Sequence, residues 1–309
     1  MATDLNAIVA AAPAATAAPS THTAGPGRRH RRWSPSSMTV NLLLLITACY
    51  TFFPLVWTVF AALKSAGAVQ TGDVLSLRHF NVVANVRLLW TFQGGVYERW
   101  FLNSILYAGV GAGLGALICV AAGYAFDKYD FRGKDQLFGL VLLGVLVPAA
   151  ATTLPLYLLA SKVGLVNTYW AVLIPSLVNP FGVYLARVFS AGYVPNEVLE
   201  AARADGAGEL RMFLRLSLPM LRSGYTTILL FHFSTIWNGF FLALVMLTDQ
   251  RLFPVSLGIY ELNSSLSSEG PALLPVVMLG SLISILPLLV IFISLQRFWK
   301  AGLTAGSVK

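Results

Sequence analysis

The chain has 309 residues, is 57% hydrophobic and 11% charged, and carries a formal net charge of +8. A soluble domain averages roughly 25% charged residues, so this composition excludes an ordinary soluble domain. The basic excess does not point to nucleic acid either, because the lysines and arginines sit at the ends of apolar runs rather than in one patch.

Residues 1–38 read as an arm. Up to about residue 27 it is rich in Ala, Pro and Thr, has no periodic apolar face, and is expected to stay disordered. The cluster Arg28-Arg29-His30-Arg31-Arg32-Trp33 follows where the chain meets the membrane, a composition suited to anionic lipid. The apolar run behind it is longer than the roughly 7–15 residues of a secretory signal, so a retained first span is predicted.

Six membrane spans are predicted within 39–309: Thr39–Leu63, Phe101–Phe126, Gln136–Leu159, Tyr169–Ala186, Tyr225–Leu247 and Ala272–Gln296. Each is near the ~20 residues that a helix needs to cross a bilayer. Helices are expected because an unsatisfied backbone group is costly in lipid, which makes the fold class an all-α membrane protein. With the N-terminus inside, 15 of the 21 lysines and arginines fall in inner segments. That bias places both termini in the cytoplasm.

Within these spans, Cys49 and Cys119 read as small hydrophobes rather than a disulfide or metal pair, and neither a metal nor a cofactor is expected. No Asp, Glu, Lys or Arg lies inside the six spans, which argues against an ion-driven carrier. Gly133-Lys134 lacks the first glycine of a phosphate loop and is followed by Asp135, so no ATP site of its own is expected. Gly109, Gly111, Gly113 and Gly115 place small residues on the second span, where helices of this chain or of a second subunit can approach closely. Pro148 and Pro155 are expected to interrupt the third span and Pro175 and Pro180 the fourth, while Pro287 sits in the sixth; a passive kink explains any one of them, and their clustering favours a moving or cavity-lining bundle.

The loop at about 187–223 carries the strongest signal. Asn196 is expected to cap a short helix, with Glu197 in its first turn and Gly206 ending it in a left-handed conformation. Ala201, Ala202 and Ala204 give that helix a low profile, and Val198, Leu199 and Ala202 share a face. The alternative is an amphipathic helix resting on the bilayer surface, in which Glu200 and Arg203 would be an ordinary intrahelical pair. A second helix containing Phe213 and Leu216 is expected to run until Pro219.

Glu200-Ala201-Ala202, Asp205-Gly206-Ala207, Phe213 and Leu218-Pro219 together resemble the signature loop of binding-protein-dependent ABC importer permeases, in the carbohydrate form of the maltose-type family. The similarity extends to Asn103-Ser104, Gly123-Tyr124-Ala125-Phe126, Phe131-Arg132-Gly133, Pro155-Leu156-Tyr157, Gly164-Leu165-Val166-Asn167-Thr168, Trp237-Asn238 and the tail Gly302–Lys309. It covers about 39–309. Ser223 and Gly239 depart from it, standing where proline and an acidic residue are common.

The resemblance implies a type I ABC importer permease fold of six spans with a cytoplasmic coupling-helix loop, in a bacterial-type inner membrane. It implies a second permease, two ATPase subunits and an extracytoplasmic sugar-binding protein as partners, and transport of a mono-, di- or oligosaccharide. Glu200, Ala201, Ala202, Asp205, Gly206, Leu218 and Pro219 would couple to an ATPase subunit, and the tail would reach between the ATPase subunits. Trp237 and Asn238 would line the sugar pathway, and Asn263, Ser264 and Ser265 would meet the binding protein. A permease for a non-sugar solute such as glycerol phosphate, and a secondary sugar carrier, are the alternatives.

Overall fold

A computed structural model describes residues 35–266, 270 and 273–305. The basic cluster at 28–33 and the tail residues 306–309 lie outside the described residues. The chain divides into a unit up to Thr51 and a second unit from Phe52 to Lys309.

In the first unit the described chain is the start of helix α1 (Pro35–Leu63). Every residue from Met38 to Thr51 is exposed. The Thr47 and Thr51 hydroxyls donate to the carbonyls of Leu43 and Thr47, one turn back, at 2.9 and 2.8 Å. Such back-bonding satisfies a hydroxyl without water, as lipid requires.

The second unit continues with α2 (Ala66–Gln70), α3 (Val82–Thr91), α4 (Val96–Lys128), α5 (Lys134–Leu146), α6 (Ala149–Lys162), α7 (Trp170–Ser176) and α8 (Pro180–Tyr193). It ends with α9 (Asn196–Ala204), α10 (Glu209–Met212), α11 (Leu218–Met220), α12 (Arg222–Trp237), α13 (Phe241–Met246), α14 (Val255–Ser264) and α15 (Leu274–Ala305). Among the described residues the one β feature is an isolated bridge between Lys64 and Phe80.

Among the described residues four helical stretches are long and apolar enough to cross a membrane: Met38–Leu63, Val96–Lys128, Trp170–Tyr193 (α7 and α8 together) and Leu274–Gln296. The α5–α6 pair, bent by 107°, makes a fifth if it is one span. The segment expected as a continuous fifth span is instead the 16-residue α12 and the 6-residue α13, parted at Asn238–Phe240. Among the described residues, length and composition alone thus pick out four spans, or five with the bent pair, and the remaining expected span is not a single long helix.

Helix α4 is the axis of the unit. Asn103, Tyr107, Gly111, Gly115, Cys119 and Gly123 recur every four residues on its buried face, and α8 and α12 pack along it. A side chain at Gly123 would meet the backbone nitrogen of Arg187 at 2.5 Å, so α8 can approach only a glycine there. Gly111 and Gly115 likewise serve packing within the chain, whereas Gly109 and Gly113 face open space.

Prolines break the spans at fewer places than expected. Pro148 stands at the cap of α6, and Pro180 opens α8, where a missing N–H costs nothing. Pro155 and Pro175 ride inside helices, which corrects the expectation that they interrupt a span, and Pro287 sits inside α15 as expected. Cys49 is exposed on α1, whereas Cys119 is buried as expected.

At the start of α4, polar side chains hold the strap at 250–255 by its backbone. Trp100 Nε1 donates to the Gln250 carbonyl at 2.8 Å, and Tyr107 Oη donates to that of Leu252 at 2.9 Å. Asn103 Nδ2 donates to the carbonyls of Arg251 and Phe253 at 2.9 and 3.0 Å. Ser104 Oγ accepts from the Val255 amide at 2.7 Å. This network places Asn103-Ser104, one of the resembling segments, under the strap that leads into α14.

Candidate functional site

At the far end of α4, about 40 Å from Trp100 by helix rise, the chain builds an exposed corner. Helix α8 ends at Tyr193, and Val194 and Pro195 turn the chain into α9. Leu199 is 2% exposed and sits in a core with Val120, Tyr124, Ala186, Met212 and Ile228. Ala202 packs beside that core, but Val198 faces outward, so the face expected to be shared by all three is narrower. Burial of Leu199 seats α9 and leaves Glu197, Glu200, Ala201, Arg203 and Asp205 exposed.

Asn196 does not cap α9. Pro195 takes the cap position with extended backbone, and Asn196 is the first helical residue. Its Oδ1 instead accepts from Lys128 Nζ at 3.0 Å. Lys128 also lies 2.9 Å from Asp127 Oδ2, which accepts from Ser190 Oγ at 2.7 Å. These bonds tie the ends of α4 and α8 to the start of α9.

The other end of α9 closes as expected. Gly206 has φ +79°, the left-handed region. The Gly206 amide donates to Arg203 and the Ala207 amide donates to Ala202, at 3.0 and 2.9 Å. That pair of bonds is the Schellman closure, which satisfies carbonyls that the helix end would orphan.

Glu200 and Arg203 do not pair. Arg203 Nε donates to Glu209 Oε1 at 2.8 Å, across the glycine corner, and Tyr129 Oη donates to Glu209 Oε2 at 2.9 Å. The Arg203 hydrogen bond, assisted by that of Tyr129, holds the Glu209 carboxyl below the usual carboxylate range. Burial, then the bond to Glu209, pushes the Tyr129 phenol up. The Glu200 carboxylate has no partner among the described residues.

The second helix of the loop also departs from expectation. It widens into a π turn over Phe213–Ser217, where the Leu218 amide donates to the Phe213 carbonyl five residues back. Pro219 has no amide and its ring crowds the carbonyl four residues earlier, which favours the wider turn. The break falls at Leu221 rather than at Pro219. Leu218 packs on the same core as Leu199 and Ala202, and Pro219 is exposed. Leu199, Ala202, Ala207, Phe213, Leu216 and Leu218 of the loop thus share one core.

A cavity of about 690 Å³ lies where three helix breaks meet. Val147 and Thr152 line it from α5–α6, Ser176 and Pro180 from α7–α8, and Thr235 and Phe240 from α12–α13. His232, missed at the sequence level, lines it too. Its Nε2 faces the Ser176 carbonyl at 2.7 Å and therefore donates, because a carbonyl can only accept. Nδ1 then accepts from Asn179 Nδ2 at 3.0 Å. Asn179 Oδ1 accepts from the Gly182 amide at 2.9 Å, and Cys119 donates to the Asn179 carbonyl at 3.4 Å. The Ser176 carbonyl, freed by the break, is thus held by α12, and α4 adds a donor to the Asn179 carbonyl, which already accepts from the Val183 amide. A histidine among apolar residues of a span was the available signal.

Trp237 and Asn238 sit at the α12 break but do not line this cavity. Trp237 is 3% exposed, stacks on Phe233, and donates its indole N–H to the Ser284 carbonyl at 3.0 Å. Its face and donor are therefore engaged by the fold itself. Asn238 is exposed at the end of α12 and donates to Ser234 at 2.8 Å. Asn263 and Ser264 are exposed and Ser265 is half-buried at the end of α14, which lies at the opposite end of α4 from α9. Among the described residues no cluster suits a metal ion.

This combination of apolar helices, some of them broken around a cavity, and an exposed, glycine-closed helix defines an integral membrane permease. The chain belongs to the family of binding-protein-dependent transport system inner membrane components, which it matches over residues 115–302. The arabinooligosaccharides transport system permease protein AraQ of Halalkalibacterium halodurans is 31% identical over 90% of this chain and 99% of its own length. The lactose transport system permease protein LacG of Rhizobium radiobacter is 29% identical over 90% of this chain and 98% of its own. A solved bacterial ABC transporter that imports the acidic polysaccharide alginate has a chain that aligns with TM-score 0.74 at 22% identity, covering 86% of this chain and 98% of that one. The chain is thus a multi-pass membrane protein with the ABC importer permease fold.

Proposed function

We propose that the chain is the six-span permease subunit of an ATP-driven sugar importer, with both termini and α9 in the cytoplasm. It forms the pathway with a second permease, receives sugar from an extracytoplasmic binding protein, and takes energy from two ATPase subunits. The chain itself holds no ATP-binding site. The observation that carries the reading is α9: its Leu199 is buried in the chain while Glu200 is left without an internal partner. A charged group kept free on a rigid corner suits contact with another protein. The names of AraQ and LacG support sugar as the cargo.

In this mechanism, closure of the ATPase pair pushes on α9. The Asp127–Lys128–Asn196 bonds and the buried Leu199 pass the displacement to α4 and α8. Ala201, Ala202, Asp205 and Gly206 shape the contact, and Leu218-Pro219 lead the chain back into the membrane. The cavity at the helix breaks is the part of the pathway that this subunit contributes, with Asn238 and Trp237 at its margin. Asn263, Ser264 and Ser265 face the binding protein.

The test is reconstitution in vesicles with the second permease, ATPase subunits and binding protein. ATP-dependent uptake of labelled arabino-oligosaccharides or lactose is expected. Uptake of glycerol phosphate without any sugar would replace the sugar reading, and uptake by the chain alone without ATP would replace the coupling reading.

A further inference from the structure

The break in the fourth span and the middle of α12 are fastened to each other at one place in the apolar interior. His232 donates to the Ser176 carbonyl on one side of the break and accepts from Asn179 on the other, at 2.7 and 3.0 Å. Its ring is 5% exposed. Room for it is made by α4, since any side chain at Gly115 would meet His232 Nε2 at 2.7 Å. The imidazole seat is therefore built by three separate stretches of helix.

The position of this seat matters. Helix α8 enters the exposed corner directly below the break, and α12 leaves that corner and reaches His232 ten residues later, about 15 Å along its axis. Ser176 and His232 also line the cavity. With no water in the hydrocarbon to replace a lost bond, the break and α12 keep their partners most cheaply by moving together.

We propose that His232 is the positioning residue that makes the cavity wall follow the coupling loop. This rests on the importer reading given above. A histidine that only filled space would give the same burial, but it would not need both nitrogens engaged across a helix break.

The experiment uses the whole reconstituted complex and reads sugar taken up per ATP hydrolysed. His232→Phe keeps the ring volume and removes both bonds. Asn179→Ser keeps a capping oxygen for the Gly182 end of α8 but is too short to reach His232. Each variant is expected to lower uptake per ATP about ten-fold, a size typical of residues along a coupling network. The double variant is expected to be no worse than His232→Phe alone, because that change already removes the bond that Asn179→Ser breaks. His232→Gln, which keeps a donor and an acceptor, is expected to recover part of the loss.

Binding of the ATPase subunits and of the binding protein is expected to stay at the parent level. A His232→Phe variant that fails to assemble leaves Asn179→Ser to decide. Parent-level uptake per ATP in an assembled Asn179→Ser complex, or losses that multiply in the double variant, would overturn the inference. A parent complex without ATP-driven uptake would overturn the importer reading instead, and the inference with it.

Discussion

Arg203 pairs with Glu209, 2.8 Å away across the Gly206 corner, and not with Glu200 one turn before it. The consequence is that Glu200 is free to serve something outside the chain. Glu200→Lys is therefore expected to leave the thermal stability of the purified chain within about 0.5 kcal/mol of the parent, as for other surface changes without a partner. The same variant is expected to lose most of the sugar-stimulated ATP hydrolysis in the complete complex. Stimulated hydrolysis at the parent rate would remove Glu200 from the coupling contact.

Gly206 tests the shape of the corner rather than its charge. An added Cβ would meet no atom within 4 Å, so sterics with neighbours do not forbid a side chain there. The φ of +79° does, and a β-branched residue suffers most. Gly206→Val is expected to cost about 1–2 kcal/mol through the backbone alone, and to cut coupled ATP hydrolysis by re-aiming α9. Gly206→Asn tolerates the left-handed region and is expected to retain more activity than Val. Equal losses for Asn and Val would show that the backbone conformation is not the cause.

Asn103 is the most exposed point of failure in the strap. It donates to the Arg251 and Phe253 carbonyls, and its Oδ1 accepts from Tyr169 Oη at 3.2 Å. Asn103→Leu keeps the volume but strands these buried groups, each at about 1–3 kcal/mol. A melting temperature well below that of the parent is expected in detergent, together with faster proteolysis at 250–255. Gly258→Ala provides a second check, because its Cβ would lie 2.1 Å from the Trp100 ring under the same strap. An unchanged melting temperature for Asn103→Leu would mean that the strap is held elsewhere.

Where the sequence was readable, one local rule dominated. Apolar length located α1, α4 and α15, and the glycine after a short Glu-Ala-Ala helix located the Schellman corner at Gly206. Pro148 and Pro180 marked breaks correctly because each starts a helix, whereas Pro155 and Pro175 looked the same in sequence and sit within helices. The break at Asn238–Phe240 contains no proline, and its local signal was the turn-forming Asn238-Gly239 dipeptide inside an otherwise apolar run. The polar links were hidden for another reason. His232 is 53 residues from Asn179, and Asn103 is 150 from Phe253, so only the packed fold brings them together. Arg203 had a nearer acidic residue at Glu200, and spacing alone favoured that wrong partner.

The Arg203–Glu209 contact also predicts how the corner responds to acid. The carboxyl of Glu209 is held below its usual range, first by the hydrogen bond from Arg203 and then by that from Tyr129. A group with a lowered folded pKa contributes stability above its unfolded pKa, about 4.3 for glutamate, and loses that contribution as pH falls through the lower folded value. Glu209→Gln removes the titration while keeping an acceptor. The gap in melting temperature between parent and Glu209→Gln is expected to be constant from neutral pH to about 5, then to close as pH falls further. The gap is expected to be small and to shrink in salt, because the pair is solvent-exposed. A gap that widens on acidification would mean that the Glu209 carboxyl is not stabilised in its charged form.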